Sequence, residues 1–220
     1  MHFLDCVLAE WALVRPRLLR TRFGAWLGLL GAALVWLGSR GTDPLAIALH
    51  AGALGAVIGA AFSAGTDADR AALAITLTHP TTPLAVACGR WLAAVTAASG
   101  LTIACLLALG WDTGAALAGI AAAAAVAGCA LAAVLAIGNG AAILLFGCMT
   151  LAGLAPPEEW VGLTRPGVLR LAAASALELG PALWRYRDIA TGDMGALLHA
   201  AAWAALGVLL ASGVAMRRAK

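Results

Sequence analysis

Charge is the first thing that this 220-residue chain lacks. Only 11% of its residues are Asp, Glu, Lys or Arg, while 63% are apolar, and a typical soluble domain carries roughly 25% charged residues. A surface in water needs more charge than this, so the composition excludes a soluble globular domain. It also excludes intrinsic disorder, because disordered chains are poor in apolar residues and rich in charge. A polytopic membrane protein is the class that remains.

Lysine is nearly absent as well. Of the 14 basic residues only Lys220, the last residue, is a lysine. A phosphate-binding P-loop needs a lysine followed by Ser or Thr, so the chain carries no ATPase of that kind. The net charge of +3 is too small and too scattered for nucleic-acid binding. No H-E-x-x-H, G-x-S-x-G or C-x-x-C motif occurs, so the sequence predicts neither an enzyme nor a metal or cofactor site.

Acidic residues are missing from the long apolar runs. Ion-coupled transport needs acidic side chains at depth in the membrane, so the chain is predicted to draw its energy from elsewhere. The ionisable residues in or beside the runs include His50, His199 and Asp112, the last at a tight turn. A lone histidine on an Ala-rich helix more often packs as a polar residue than binds a ligand.

The apolar runs predict six membrane spans. A hydrocarbon core of about 30 Å needs roughly 20 apolar residues of helix. The longest run, 113–157, divides at Gly138-Asn139-Gly140, which is a turn signal. The run 71–89 is rejected, because its prolines and threonines disfavour a plain membrane helix. The predicted spans are 23–39, 44–66, 91–111, 113–137, 140–156 and 194–216.

Basic residues set the predicted orientation. Arg and Lys accumulate in cytoplasmic segments, and both ends of this chain are basic. The sequence therefore predicts an all-α polytopic protein with six transmembrane helices, placed in the inner or plasma membrane with both termini cytoplasmic.

Three segments outside the spans carry further information. Residues 1–22 hold apolar side chains at three- and four-residue spacing, which predicts an amphipathic helix on the inner membrane surface. A basic anchor that fixes topology explains the same residues. In the inner loop 67–90, Asp67 or Asp69 caps a short predicted helix that ends at His79-Pro80. Such a helix suits a groove on a soluble partner.

The third segment is the outer one, 156–193. It mixes prolines with charged and apolar stretches, which predicts one or two short helices at, or dipping into, the outer interface. Trp160, Trp184 and Tyr186 are expected at headgroup level as aromatic-belt residues.

Glycines recur at close spacing on the first two predicted spans. The pattern includes Gly28-x-x-Gly31, Gly52-x-x-Gly55 and Gly55-x-x-x-Gly59. Small residues at such spacing let helices approach closely, which favours a dimer or bundle interface. An Ala- and Gly-rich composition also produces such matches by chance, and the sequence leaves both explanations open.

This layout resembles the membrane subunits of ABC-2-type transporters. These are six-helix permeases with an inner amphipathic N-terminal helix, a cytoplasmic coupling loop between helices 2 and 3, and outer re-entrant helices before helix 6. The stretch 69–93 is similar to the family's coupling loop, with Thr76-Leu77-Thr78-His79-Pro80 and then Gly89-Arg90 opening the next helix. The stretch Gly180–Asp188, followed by Gly192 and a basic tail, resembles the family's Asn-Pro…Arg…Gly run. Arg70 and Gly180 depart from the family's usual Glu and Asn.

The resemblance implies the transmembrane subunit of an ABC exporter. Two such subunits, identical or related, form the pathway, and a separate ABC ATPase that binds ATP and Mg docks on the coupling loop and rocks the two bundles. The implied coupling residues are Asp67, Asp69, Arg70, Leu73, Leu77, His79 and Pro80. The predicted interface anchors are Arg17, Arg20, Arg22 and Arg90, and the outer re-entrant segment contributes Pro181, Trp184, Arg185 and Arg187. For Arg90, a charge that snorkels to the membrane surface is an equal alternative.

The sequence leaves other functions open. One is a non-enzymatic membrane subunit that captures the substrate of a vitamin uptake system. Another is a permease like the haem exporters of cytochrome c maturation, which have a similar length but an acidic loop signature that is not evident here. An integral-membrane enzyme is disfavoured, because the chain has no catalytic constellation.

Overall fold

The computed structural model describes residues 2–20, 22–64, 82–153 and 180–218, with 15–20, 151 and 152 described by their backbone alone. Within these ranges the chain is helical and no residue belongs to a β-strand. The helices are α1 (Phe3–Arg20), α2 (Arg22–Ser39), α3 (Pro44–Ala64), α4 (Pro83–Leu109), α5 (Thr113–Ile137), α6 (Asn139–Ala152), α7 (Leu183–Tyr186), the 3₁₀ helix η1 (Arg187–Thr191) and α8 (Met194–Arg218).

Five of these helices, α2, α3, α4, α5 and α8, are long and apolar enough to cross a bilayer. They contain no Asp or Glu, and at 1.5 Å per residue they measure about 27–40 Å against a hydrocarbon core of about 30 Å. Within the described ranges the predicted all-helical architecture is therefore confirmed, and five helices of this length are consistent with a multi-pass membrane protein. α6 has 14 residues and rises only about 21 Å. The described part of the predicted span 140–156 is therefore too short to cross the bilayer alone.

α4 begins at Pro83 and not at residue 91 as predicted. Thr82 caps the helix, because its side-chain oxygen accepts a hydrogen bond from the Ala85 N–H at 3.2 Å. Pro83 occupies the first turn, where its missing N–H costs nothing. The last part of the predicted loop is thus helical, and Gly89-Arg90 lies about two turns inside α4, not at its opening. The predicted coupling residues before it lie outside the described residues.

α3 and its neighbours α4 and α5 meet backbone to backbone. The contacts pair Gly52 with Gly119, Gly55 with Ala98 and Gly59 with Ala94. A Cβ on Gly52 would overlap the carbonyl oxygen of Gly119, and one on Gly59 would lie 3.0 Å from the Ala94 Cα. On α3, the predicted small face is therefore an interface inside the bundle.

α5 and α8 cross in the same way. A Cβ on Gly207 of α8 would overlap the backbone of Gly128 in α5. α3 and α5 each bury 67% of their most apolar window within the chain, whereas α2 buries 11%. The helices α3, α4, α5 and α8 form the centre of the bundle, and α2 lies at its periphery.

The bundle has two ends, which we name after α1 and α7, the helices found there. The α1 end holds the start of α2 and the ends of α3, α5 and α8. There, the Arg218 guanidinium donates to the Ala136 carbonyl at 2.9 Å. The α7 end holds the start of α5, where a Cβ on Gly114 would lie 2.8 Å from the Ala190 carbonyl oxygen of η1.

Candidate functional site at the junction of α1 and α4

α1 is an amphipathic helix packed against the first turns of α4. Its buried residues Cys6, Val7 and Val14 contact α4 through Ala85 and Ala93. Four of its large apolar side chains stay exposed on the chain: Phe3, Leu4, Leu8 and Leu13. One face of α1 thus packs on protein, while these four apolar side chains remain uncovered. Such a helix suits the surface of a bilayer, where lipid covers the exposed apolar side chains.

Gly89 makes the close approach of α1 to α4 possible. A Cβ at this position would lie 2.7 Å from the Glu10 Cβ and 2.9 Å from the Val7 carbonyl oxygen. Real Cβ atoms do not come so close to backbone atoms, so any side chain here would push α1 away.

Arg90, the next residue, holds α1 against α4 through an ion pair. Its Nε donates to the Glu10 Oε1 at 3.0 Å, and the two side chains are 2% and 12% exposed. A charge-assisted hydrogen bond offsets part of the cost of removing both charges from water. Arg90 therefore contacts α1 and does not extend to the surface. The sequence pointed to Arg90 as an anchor but gave no partner for it.

The remaining predicted anchors lie at the same end of the bundle. Arg22 is exposed and begins α2. Arg17 and Arg20 belong to the last turn of α1, which is described by backbone alone. Asp67, Asp69, Arg70, Leu73, Leu77, His79 and Pro80 lie outside the described residues. α3 ends and α4 begins at the α1 end, so the two helix ends that the connection with these residues joins lie next to α1.

Residues 180–191 run along the bundle from its middle to the α7 end, with Leu183, Tyr186 and Ile189 buried. Pro181 and Leu183 lie against Val126 of α5 and Thr150 of α6. Val126 is twelve residues further along α5 than Gly114, which corresponds to about 18 Å. The Trp184 backbone N–H donates to the Gly153 carbonyl at 2.9 Å, so the end of α6 meets the start of α7.

Tyr186 is not an aromatic-belt residue as predicted. Its side chain is fully buried, and its ring lies 5.7 Å from that of His199 in α8. Burial raises the pKa of Tyr186, an effect to which Cys129 adds and which Arg185 opposes, so the phenol stays protonated. Its hydroxyl has no hydrogen-bond partner in the described part of the chain.

His199 packs between Tyr186 and Trp203. The Trp203 Nε1–H donates to the His199 Nε2 at 3.1 Å, so Nε2 carries no proton and the proton of the neutral ring sits on Nδ1. Nδ1 is buried and has no partner among the described residues. No motif spacing in the sequence pointed to the contact between Tyr186 and His199, because the two residues lie on different helices that only the fold brings together.

The other polar residues have structural roles. The Asp112 carboxylate caps α5 by accepting from the Ala115 N–H at 2.9 Å. His50 Nδ1 lies 2.7 Å from the Ala46 carbonyl oxygen in its own helix. The Arg187–Asp43 pair at 3.4 Å is about half exposed and contributes little. Arg185 is exposed, with its guanidinium carbon 5.8 Å from the Trp184 ring centroid.

Comparison of the chain with protein-family models, with curated proteins and with solved structures finds no match. In the described ranges, no group of three or more His, Cys, Asp or Glu residues could hold a metal ion. The assignment of a function therefore depends on the residues of the chain and on the geometry of the α1–α4 junction.

Proposed function

We propose that this chain is the membrane-spanning permease subunit of an ATP-driven ABC transporter of the ABC-2 type. It is an exporter subunit that forms the substrate pathway as a dimer and takes its energy from a separate ATPase chain. The observation that supports this most is the docking of α1 by Gly89 and the Glu10–Arg90 pair, beside the helix ends that the predicted coupling loop joins.

The docked helix gives the loop a mechanical connection to the bundle. A push on residues 67–80 acts directly on the start of α4, and the buried ion pair makes α1 move with α4. α4 in turn packs on α3 through Gly55 and Gly59, so the displacement spreads through the centre of the bundle. Closely packed helices transmit such movement because they deform little.

An external energy source fits the charge distribution. The five long helices carry no acidic residue, so a proton or sodium gradient has no carboxylate to act on at depth. In this proposal ATP and Mg bind to the partner ATPase. The termini are cytoplasmic, and the chain crosses the membrane six times, as its apolar runs predict.

Co-purification tests the proposal. The chain is coexpressed with a candidate ABC ATPase, and residues 69–80 are replaced by a Gly/Ser sequence of equal length. The matched control replaces Arg40–Thr42, a turn at the other end of the bundle. We expect the ATPase to co-purify with the wild type and the control but not with the 69–80 variant. Retention by all three would count against the coupling assignment.

A second candidate is a membrane subunit that captures a substrate without an enzyme activity. The observation that favours it is the pair of buried polar atoms without partners in the described residues, the Tyr186 hydroxyl and the His199 Nδ1. A ligand acceptor atom would satisfy both. Mass spectrometry of the purified chain separates the two candidates, because a capture subunit retains its ligand through purification.

A further inference from the structure

An apolar groove of about 490 Å³ opens on the outside of the bundle between α1, α2 and α4. Its volume falls within the range of ligand pockets, about 300–1,000 Å³. Its walls include Trp11 of α1, Phe23, Leu27 and Gly28 of α2, and Ala93 and Leu101 of α4. Apart from Trp11, only Thr96 is polar, and its hydroxyl already donates to the Leu92 carbonyl at 2.6 Å. The walls therefore favour a hydrocarbon.

The groove covers the depth of one leaflet. Along α4 it runs from Ala93 to Leu101, which are eight residues and about 12 Å apart. Half of a hydrocarbon core of about 30 Å is about 15 Å. The groove closes at Leu101, because a Leu101 methyl lies 3.0 Å from the position of a Cβ on Gly31. Beyond this point α2 and α4 are in contact.

The membrane-surface end of the groove is basic. α2 begins at the exposed Arg22, one residue before Phe23. Residues 15–22 contain four arginines and no acid. Of the two acids in α1, Glu10 is paired with Arg90, and the Asp5 carboxylate accepts from the His2 N–H at 3.1 Å. A phosphate at the level of Arg22 therefore meets positive charge.

We propose that the groove binds one acyl chain of an anionic phospholipid, whose phosphate lies beside Arg22. A helix of a second copy is the competing occupant. Such a helix crosses both leaflets and is about 10 Å wide, whereas this groove ends at Leu101. One lipid tail matches both the depth of the groove and its apolar walls. This site does not depend on the function proposed above.

Photocrosslinking of the full chain tests the site. The chain is reconstituted in vesicles of phosphatidylcholine that contain a small fraction of phosphatidylglycerol with a diazirine in its acyl chain. Gly28→Leu fills the groove, since no heavy atom lies within 4 Å of a Cβ at Gly28. Gly213→Leu is the matched control, because Gly213 is another helical glycine with the same free space. Peptide mapping quantifies the label on residues 93–101.

We expect label on residues 93–101 of the wild type, a severalfold loss in Gly28→Leu and no loss in Gly213→Leu. Arg22→Gln should lower the preference for phosphatidylglycerol over phosphatidylcholine about fivefold, the effect of one basic residue at an anionic surface. Two results would overturn the proposal. One is equal labelling of the wild type and Gly28→Leu, and the other is absence of label on residues 93–101, as expected when a second copy fills the groove.

Discussion

At the scale of single residues, the Glu10–Arg90 pair combines two buried charges with a long separation in the chain. The two residues are 80 positions apart, and helical periodicity only places Glu10 off the apolar face of α1. The sequence could thus suggest Arg90 as an anchor but not its partner. The cap by Asp112 was easier to anticipate at a turn, because a carboxylate before a helix has a local role.

The ion pair gives a prediction about stability. Arg90→Leu leaves the buried Glu10 carboxylate without the Arg90 counter-charge, and Glu10→Leu removes an acceptor of the buried Arg90 guanidinium, so each should lower the free energy of unfolding by about 3 kcal/mol. The double variant leaves no charge and should lie within about 1 kcal/mol of the wild type. Unfolding by SDS in mixed micelles, followed by circular dichroism, measures all three.

Arg187→Leu is the control for this cycle, because it removes an ion pair that is about half exposed and should cost under about 1 kcal/mol. Losses that simply add in the double variant would show that Glu10 and Arg90 do not interact.

Tyr186 gives a second prediction at this scale. Tyr186→Phe removes a buried hydroxyl that has no partner in the described residues. It should raise stability by about 1 kcal/mol, because an unsatisfied buried hydroxyl costs about 1–3 kcal/mol. Tyr186→Ala should lower it by about 3–5 kcal/mol through the cavity that it leaves. Thermal unfolding in detergent measures both. A clear loss of stability in Tyr186→Phe would instead show that the hydroxyl has a bound partner.

At the scale of elements, the length of the apolar runs predicted most helices well. The start of α4 was missed because a proline such as Pro83 can either break a helix or begin one. Inside a span a proline breaks the helix, whereas after a capping threonine it begins one. The end of the predicted fifth span, 140–156, was missed for another reason. α6 ends at Ala152, and the carbonyl of the next residue, Gly153, accepts a hydrogen bond from the Trp184 backbone N–H. Hydropathy does not register such a tertiary contact.

The crossing of α5 and α8 gives a prediction for this scale. Gly207→Ala would place a Cβ on the backbone of Gly128, and backbone cannot give way cheaply. We expect a loss of about 1–3 kcal/mol in the free energy of unfolding. Gly213→Ala, in the same helix, meets no atom within 4 Å and should gain up to about 1 kcal/mol from helix propensity. SDS unfolding of the two variants provides the measurement, and equal effects would contradict the proposed crossing.

At the scale of the whole molecule, composition alone predicted a polytopic helical membrane protein. It could not predict which helices are central. The small face of α3 packs inside the bundle, whereas Gly28 of α2 faces the open groove, and the two patterns look alike in sequence. Which helix lies beside which depends on contacts between distant residues, and local periodicity carries no information about those contacts.

The proposed function requires that residues 67–80 face the cytoplasm, where an ATPase can push on them. Single cysteines at Leu77 and, as a control at the other end of the bundle, at Thr42 test it in a chain whose five native cysteines have been removed. A membrane-impermeant maleimide is applied to intact cells and to inside-out vesicles. We predict that Leu77→Cys reacts only in the vesicles and Thr42→Cys only in the cells. Reaction of Leu77→Cys in intact cells, or in neither preparation, would contradict the account.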